Sequence, residues 1–147
     1  MTQTNTAKLW QRVALLSLSL LLLFSLVGCF SMTDTELLWK DAKYTEDTSF
    51  GEGAKTVTVT VTAGEKSIVF TLKTDSDMLG EALMAHGLLE GDMGDFGLYM
   101  KRVNGILADY DVDKTYWALY IGEDYALTGV DTTPVTDGGV YSLVRSK

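Results

Sequence analysis

The seven residues Thr56 to Thr62 read TVTVTVT, and they commit this part of the chain to a strand. β-branched side chains lose rotamer freedom in a helix and pack well on a pleated surface. The two-residue period sends Val57, Val59 and Val61 to one face and the four threonines to the other, the signature of a strand with one buried side. After the turn Ala63-Gly64-Glu65-Lys66, the stretch Ser67 to Lys73 answers with Ile68, Phe70 and Leu72 at the same period, which predicts an antiparallel hairpin. Thr74-Asp75-Ser76-Asp77 then offers several N-cap residues. Leu79, Ala82, Leu83 and His86 follow at the spacing of one helix face, and Gly87 ends the run. The pattern predicts one helix packed on one face of the hairpin.

Further along, Leu88 to Phe96 is rich in acids and glycine and reads as a loop, whereas Leu98 to Val103 reads as a strand. Asn104-Gly105, a strong two-residue hairpin signal, leads into Ile106-Leu107-Ala108. Asp109-Tyr110-Asp111-Val112-Asp113 spaces its acids like the opening of a calcium loop. Lys114 stands where the turn glycine belongs, however, and Tyr120 where the bidentate glutamate belongs, so the stretch reads as a solvated turn. Tyr116 to Ile121, Tyr125 to Leu127 and Val140 to Val144 complete a set of strands, with Gly122-Glu123-Asp124 as a tight connection. A hairpin, a helix and then several strands predict an α+β, β-grasp-like fold with a mixed or antiparallel sheet and one packed helix.

The strand at Tyr116 is apolar on both sides, with Trp117, Leu119 and Ile121 on one and Tyr116, Ala118 and Tyr120 on the other. One helix covers one face of a sheet, so the aromatic face left over is either covered by the polar tether ahead of Thr56 or available to a ligand or partner, and Trp117 by itself also suits the core. Tyr99, Tyr116, Trp117, Tyr125 and Leu127 are the candidate ligand-binding residues of that face. His86, the single histidine, falls in the last helical turn, where interaction with the final carbonyls explains it without a metal. With one histidine and one cysteine no triad or zinc motif assembles, and the chain reads as a non-enzyme with no metal and no cofactor.

Two of the twelve Lys and Arg, Lys8 and Arg12, precede residue 29, whereas all twenty Asp and Glu follow residue 33. Beyond residue 28 the side chains therefore sum to −10, from ten bases and twenty acids. Such a body repels phosphate backbones, which argues against nucleic acid as a partner.

The N-terminal segment accounts for the cysteine. Met1 to Arg12 is polar and basic, Val13 to Val27 is a mostly leucine run of fifteen residues, and Leu26-Val27-Gly28-Cys29 closes it. The run is shorter than the ~20 residues of a spanning helix and has the parts of a secretory signal. Its end resembles a bacterial lipobox, which implies a diacylglyceryl group on the Cys29 thiol, cleavage before Cys29 and lipid anchoring to the extracytoplasmic side of a bacterial cell membrane. Three segments are thus expected: a signal peptide over 1–28, a lipidated cysteine and polar tether over 29–55, and a folded domain over 56–147. Within the tether, Thr33-Asp34-Thr35-Glu36 is a capping-box pattern ahead of Leu37-Leu38-Trp39 and predicts a short helix, with Trp39 tucked against the domain.

Gly97-Leu98-Tyr99, Val103-Asn104-Gly105-Ile106, Tyr116-Trp117, Gly129-Val130, Pro134 and Asp137-Gly138-Gly139 occur in an order that resembles the C-terminal domain of the vitamin B12 carriers and the bacterial transcobalamin-like domain family. The resemblance spans roughly Lys55 to Val144. It implies a β-grasp fold and a corrinoid ligand, cobalamin or a relative. In the carriers this domain closes over cobalamin that also rests on a helical barrel, and these residues hold no such barrel. A transporter or a second lipoprotein is therefore expected to supply the other half of the site. The alternative is a non-enzymatic cell-surface interaction or adhesion module that uses the same aromatic face on protein.

Overall fold

The computed structural model describes residues 32–147; the signal-peptide and Cys29 readings fall outside the described residues. The threonine-valine run is strand β2 (Lys55–Ala63), and it forms the expected hairpin with β3 (Lys66–Thr74), in register from Lys55 opposite Thr74 to Ala63 opposite Lys66. Strand β9 (Val140–Ser146) lies on the other side of β2 and runs parallel to it. Strand β7 (Tyr116–Ile121) pairs antiparallel to β9, and the short β8 (Asp124–Tyr125) closes that edge. At the opposite edge β1 (Thr48–Gly51) runs parallel to β3. The resulting six-stranded mixed sheet has the order β1-β3-β2-β9-β7-β8, and β4 (Leu89–Gly94), β5 (Gly97–Val103) and β6 (Ile106–Leu107) form a second, antiparallel sheet. The fold is α+β, with the β-grasp order of a hairpin, a helix and a last strand beside the first.

Register decides the core. Val57, Val59, Val61, Ile68, Phe70, Leu72, Tyr141, Leu143, Trp117 and Leu119 all point to one side of the six-stranded sheet and are buried there. Helix α2 (Leu79–Ala85) lays Leu79, Ala82 and Leu83 into the same core, and the second sheet contributes Leu89, Val103 and Ile106. Each large apolar side chain buried this way stabilises the fold by about 1.5–3 kcal/mol. Gly87 ends α2 with a positive φ of 62°, as its place after the apolar stripe predicts. His86 rests beside Phe50, with ring centroids 5.1 Å apart, in a packing role.

Two expectations are corrected. Residues 34–55 are part of the domain and do not form a tether. Helix α1 (Asp34–Trp39) starts with the capping box of Thr33 and Glu36, and it delivers Trp39 into the core, where the indole Nε1 donates to Ala63 O at 2.9 Å. Lys66 Nζ lies 4.7 Å from the centre of the Trp39 ring. Composition hides this docking because the side chains that carry it, Leu38, Trp39, Tyr44 and Phe50 of β1, lie scattered within otherwise polar sequence. The second correction concerns Leu88 to Phe96, which forms strand β4 and the β4-β5 turn; glycine and acid suit this strand because five of its six residues face solvent. Among the described residues no helix is long and apolar enough to cross a membrane.

Candidate binding surfaces

The five candidate ligand-binding residues do not share one face. Trp117 is only 4 % exposed and belongs to the core, because its side chain points to the helix-covered side of β7. Its Nε1 is buried without a hydrogen-bond partner among the described residues. Tyr116 points to the opposite, uncovered side and is half-buried. Tyr125 on β8 is 54 % exposed and packs edge-on against Tyr120, at 5.5 Å between ring centroids. Leu127 lies beyond β8 in a loop, 99 % exposed. Tyr99 sits on β5 of the second sheet, where its hydroxyl accepts from Tyr110 N at 3.3 Å. Tyr116, Tyr120 and Tyr125 thus occupy an open sheet face, whereas Leu127 belongs to a loop end.

That loop end is built around Asp131. Residues 126–135 fold back onto the start of α2: Leu79 N donates to Thr133 O and Gly80 N to Val130 O, both at 2.8 Å, and Val135 N donates to Asp77 O at 2.8 Å. These carbonyls satisfy helix amides that the sequence assigns to a side-chain cap; the N-cap residue is Met78, which makes no such bond. Within the loop, Thr133 Oγ1 donates to Gly129 O at 2.8 Å. Three glycines crowd the aspartate. A methyl group on Gly97 would lie 3.0 Å from Asp131 Oδ2, one on Gly129 2.5 Å from Oδ1, and one on Gly80 3.0 Å from Cα. The β4-β5 hairpin tip therefore touches the loop after β8. Both carry bare apolar side chains, Phe96 at the two-residue tip and Leu127 two residues before Gly129, each essentially fully exposed. Phe96 was missed by the sequence reading; its signal was an aromatic inside Asp95-Phe96-Gly97, a turn flanked by strand residues.

The motif residues near the chain's last strand hold this region in place. Tyr141, buried, donates its hydroxyl to Pro134 O at 2.8 Å and accepts from Thr136 N at 3.2 Å. Asp137 Oδ1 accepts from Thr56 N at 2.7 Å, and Gly138 N donates to Thr56 O at 2.8 Å, so the Asp-Gly turn clamps the start of β2.

The acids of the calcium-like stretch are engaged locally. Asp109 caps the short helix α3 (Tyr110–Asp113) through a bond from Asp111 N, and Asp113 accepts from Thr115 and pairs with Arg145 at 2.5 Å. Hydrogen bonds from the Thr115 hydroxyl and then from its backbone N–H, followed by the nearby Arg145, hold the Asp113 carboxyl below its ordinary value of 3.8. Among the described residues no group of three His, Cys, Asp or Glu is placed to hold a metal ion. A depression of about 560 Å³ opens between α1 and the end of β9, lined by Leu37, Leu38, Thr115 and Arg145; none of the candidate residues reaches it.

No family model and no curated protein matches the chain. Among solved structures, haptocorrin in complex with Cbi is 21 % identical, with a TM-score of 0.49 over 67 % of this chain, which spans 26 % of haptocorrin's length. A protein of Ruminococcus gnavus ATCC 29149, described as a "putative metal binding protein", is 35 % identical with a TM-score of 0.61, over 64 % of this chain and 98 % of its own. With more than a third of positions identical across almost the whole of that protein, the chain belongs to the same family as the Ruminococcus gnavus protein.

Proposed function

We propose that the chain is a lipid-anchored, extracytoplasmic small-ligand-binding module of a bacterial cell membrane, that its ligand is a corrinoid, and that a membrane partner completes the site. The observation that carries this reading is the loop end, where Phe96 and Leu127 stand bare on two tips that meet in close packing at Asp131. Exposed apolar side chains on a braced scaffold, in an otherwise acidic body, mark a contact surface. A ligand seated there is covered on one side only, and tight binding requires desolvation on both, so a partner is needed. The preference for a corrinoid comes from the sequence resemblance between Lys55 and Val144. A ligand that brings its own cobalt also accommodates the description of the Ruminococcus gnavus relative without a protein-made metal centre in this chain. Catalysis has no part in the proposal.

Titration of residues 30–147 with cyanocobalamin and with its base-lacking precursor cobinamide tests the reading. Saturable binding of both, weakened about tenfold or more in Phe96→Ser and Leu127→Ser, is the expected result. No binding by a folded sample, alone or in membranes that contain its neighbours, would refute it and favour a protein-interaction module. Anchoring is checked separately. Inhibition of the lipoprotein signal peptidase should leave a heavier, unprocessed precursor, and an unchanged mass would count against lipidation of Cys29.

A further inference from the structure

The six-stranded sheet has a second face, and no described element covers it. β2 presents Thr56, Thr58, Thr60 and Thr62 there, β3 presents Thr71 across from Thr58, and β9 presents Ser142 across from Thr60. The row through the middle runs Val69, Thr60, Ser142, Tyr120, Tyr125 and crosses five strands. At the ~4.8 Å spacing of neighbouring strands that row extends about 19 Å. Tyr116 flanks it on β7, and the Tyr120–Tyr125 edge-to-face pair forms its aromatic end.

Three properties of this face are unusual together. It is nearly free of charge in a chain whose net charge is −8: along β2, β3, β7 and β9 its outward positions carry Lys73 at one margin and otherwise hydroxyl, tyrosyl or small apolar side chains. Its polarity is unspent, because Thr58, Thr60, Thr71, Ser142 and the phenols of Tyr116, Tyr120 and Tyr125 make no side-chain hydrogen bond to any other described residue; only Thr62 and Ser67 pair, at 2.8 Å. Its geometry is regular, since residues i and i+2 along each strand share one face, and on β2 that period sets four threonines in a row. A hydroxyl both donates and accepts, so such an array matches a partner that is itself a sheet of hydroxyls. A tyrosine ring at the end offers a flat apolar surface with a polar tip.

We propose that this face binds a neutral polysaccharide of the cell surroundings, with Thr58, Thr60 and Ser142 exchanging hydrogen bonds with sugar hydroxyls and Tyr120 and Tyr125 stacking on a sugar ring. The absence of charge selects against anionic glycans and polyanions, which the acidic body already repels. The site uses the sheet face and not Phe96 or Leu127; its Tyr125 end leads into the loop, and its hydroxyl row on β2 and β9 stands or falls independently of the corrinoid reading.

Affinity electrophoresis of the full-length chain in neutral detergent tests this directly. The acidic chain migrates toward the anode, while laminarin, galactomannan, hydroxyethylcellulose or dextran cast in the gel does not. At least one of these four is expected to retard it. The double variant Thr60→Val with Ser142→Ala, which keeps strand-compatible side chains, is expected to raise the apparent dissociation constant about tenfold through the loss of two hydrogen bonds, and Tyr125→Ala to do the same by loss of stacking. Circular dichroism and melting of each variant establish that the fold survives. No retardation by any of the four, retardation that persists unchanged in the folded double variant, or retardation only by an anionic glycan overturns the proposal. So does self-association of the chain that Thr60→Lys abolishes, since the face would then belong to copies of the protein.

Discussion

Asn104 shows how one residue carries two messages of which the sequence displays one. As the first residue of Asn-Gly it adopts a φ of 53° and turns β5 into β6. It is also fully buried, and its side chain accepts from Tyr44 N at 3.0 Å and donates to Tyr44 O at 2.8 Å, closing a strand-like bridge to the segment after α1. Turn preference alone predicts that Asn104→Gly is harmless. The two lost bonds predict a cost of about 2 kcal/mol, read as a lower midpoint in denaturant melts. The two core tryptophans differ in one bond. Trp39→Phe should cost more than Trp117→Phe in denaturant unfolding, because both lose core volume but only the Trp39 change also takes a donor from Ala63 O. An equal or greater loss in Trp117→Phe would count against that difference. Asp113 supplies the pH signature. Its folded value lies below the ordinary 3.8, so its contribution to stability is present above that value and disappears as the pH falls through the lower folded one. Thermal melts below pH 4 should fall more steeply for the parent than for Asp113→Asn, which starts lower and lacks this step.

At the scale of elements, legibility tracked local periodicity. β2, β3 and α2 announce themselves because each buries one face at its own period, whereas β5 and β7 are read from strand-forming residues bounded by turn signals. α1 was legible through its capping box, but its docking was not, since one buried indole among polar residues leaves no period to read. The cap of α2 was misplaced for a related reason: the acceptors are backbone carbonyls of Val130 and Thr133, which any residue could supply. Of the candidate site, Tyr116, Tyr125 and Leu127 were found as exposed or half-exposed residues. Trp117 was not separable from them, because both faces of β7 are apolar and only the tertiary packing chooses the inner one. Deleting residues 32–47 tests the status of α1. A tether predicts no change in melting temperature. Loss of Trp39 and of the turn held by Asn104 predicts a fall large enough to leave the remainder partly unfolded at 37 °C, at about 3–5 kcal/mol for a tryptophan alone.

For the molecule as a whole, the two proposed surfaces belong to one folded body, with a hydroxyl-rich plane on one side of the sheet and an apolar loop end at Asp131. The pairing of β2 with β9 has a further consequence, for the order in which the molecule can be assembled. Thr58 lies opposite Val140, so the middle seam of the sheet joins segments about eighty residues apart in the chain. Contacts of such long range are made late, because the loop must close before they reward the chain. Until residues 140–146 have been made, β1-β3-β2 and β7-β8 are two unfinished ribbons with open edges. A nascent chain therefore stays loose along most of its length, the condition in which a polypeptide can still be threaded through a narrow pore, and it locks only when its last strand arrives.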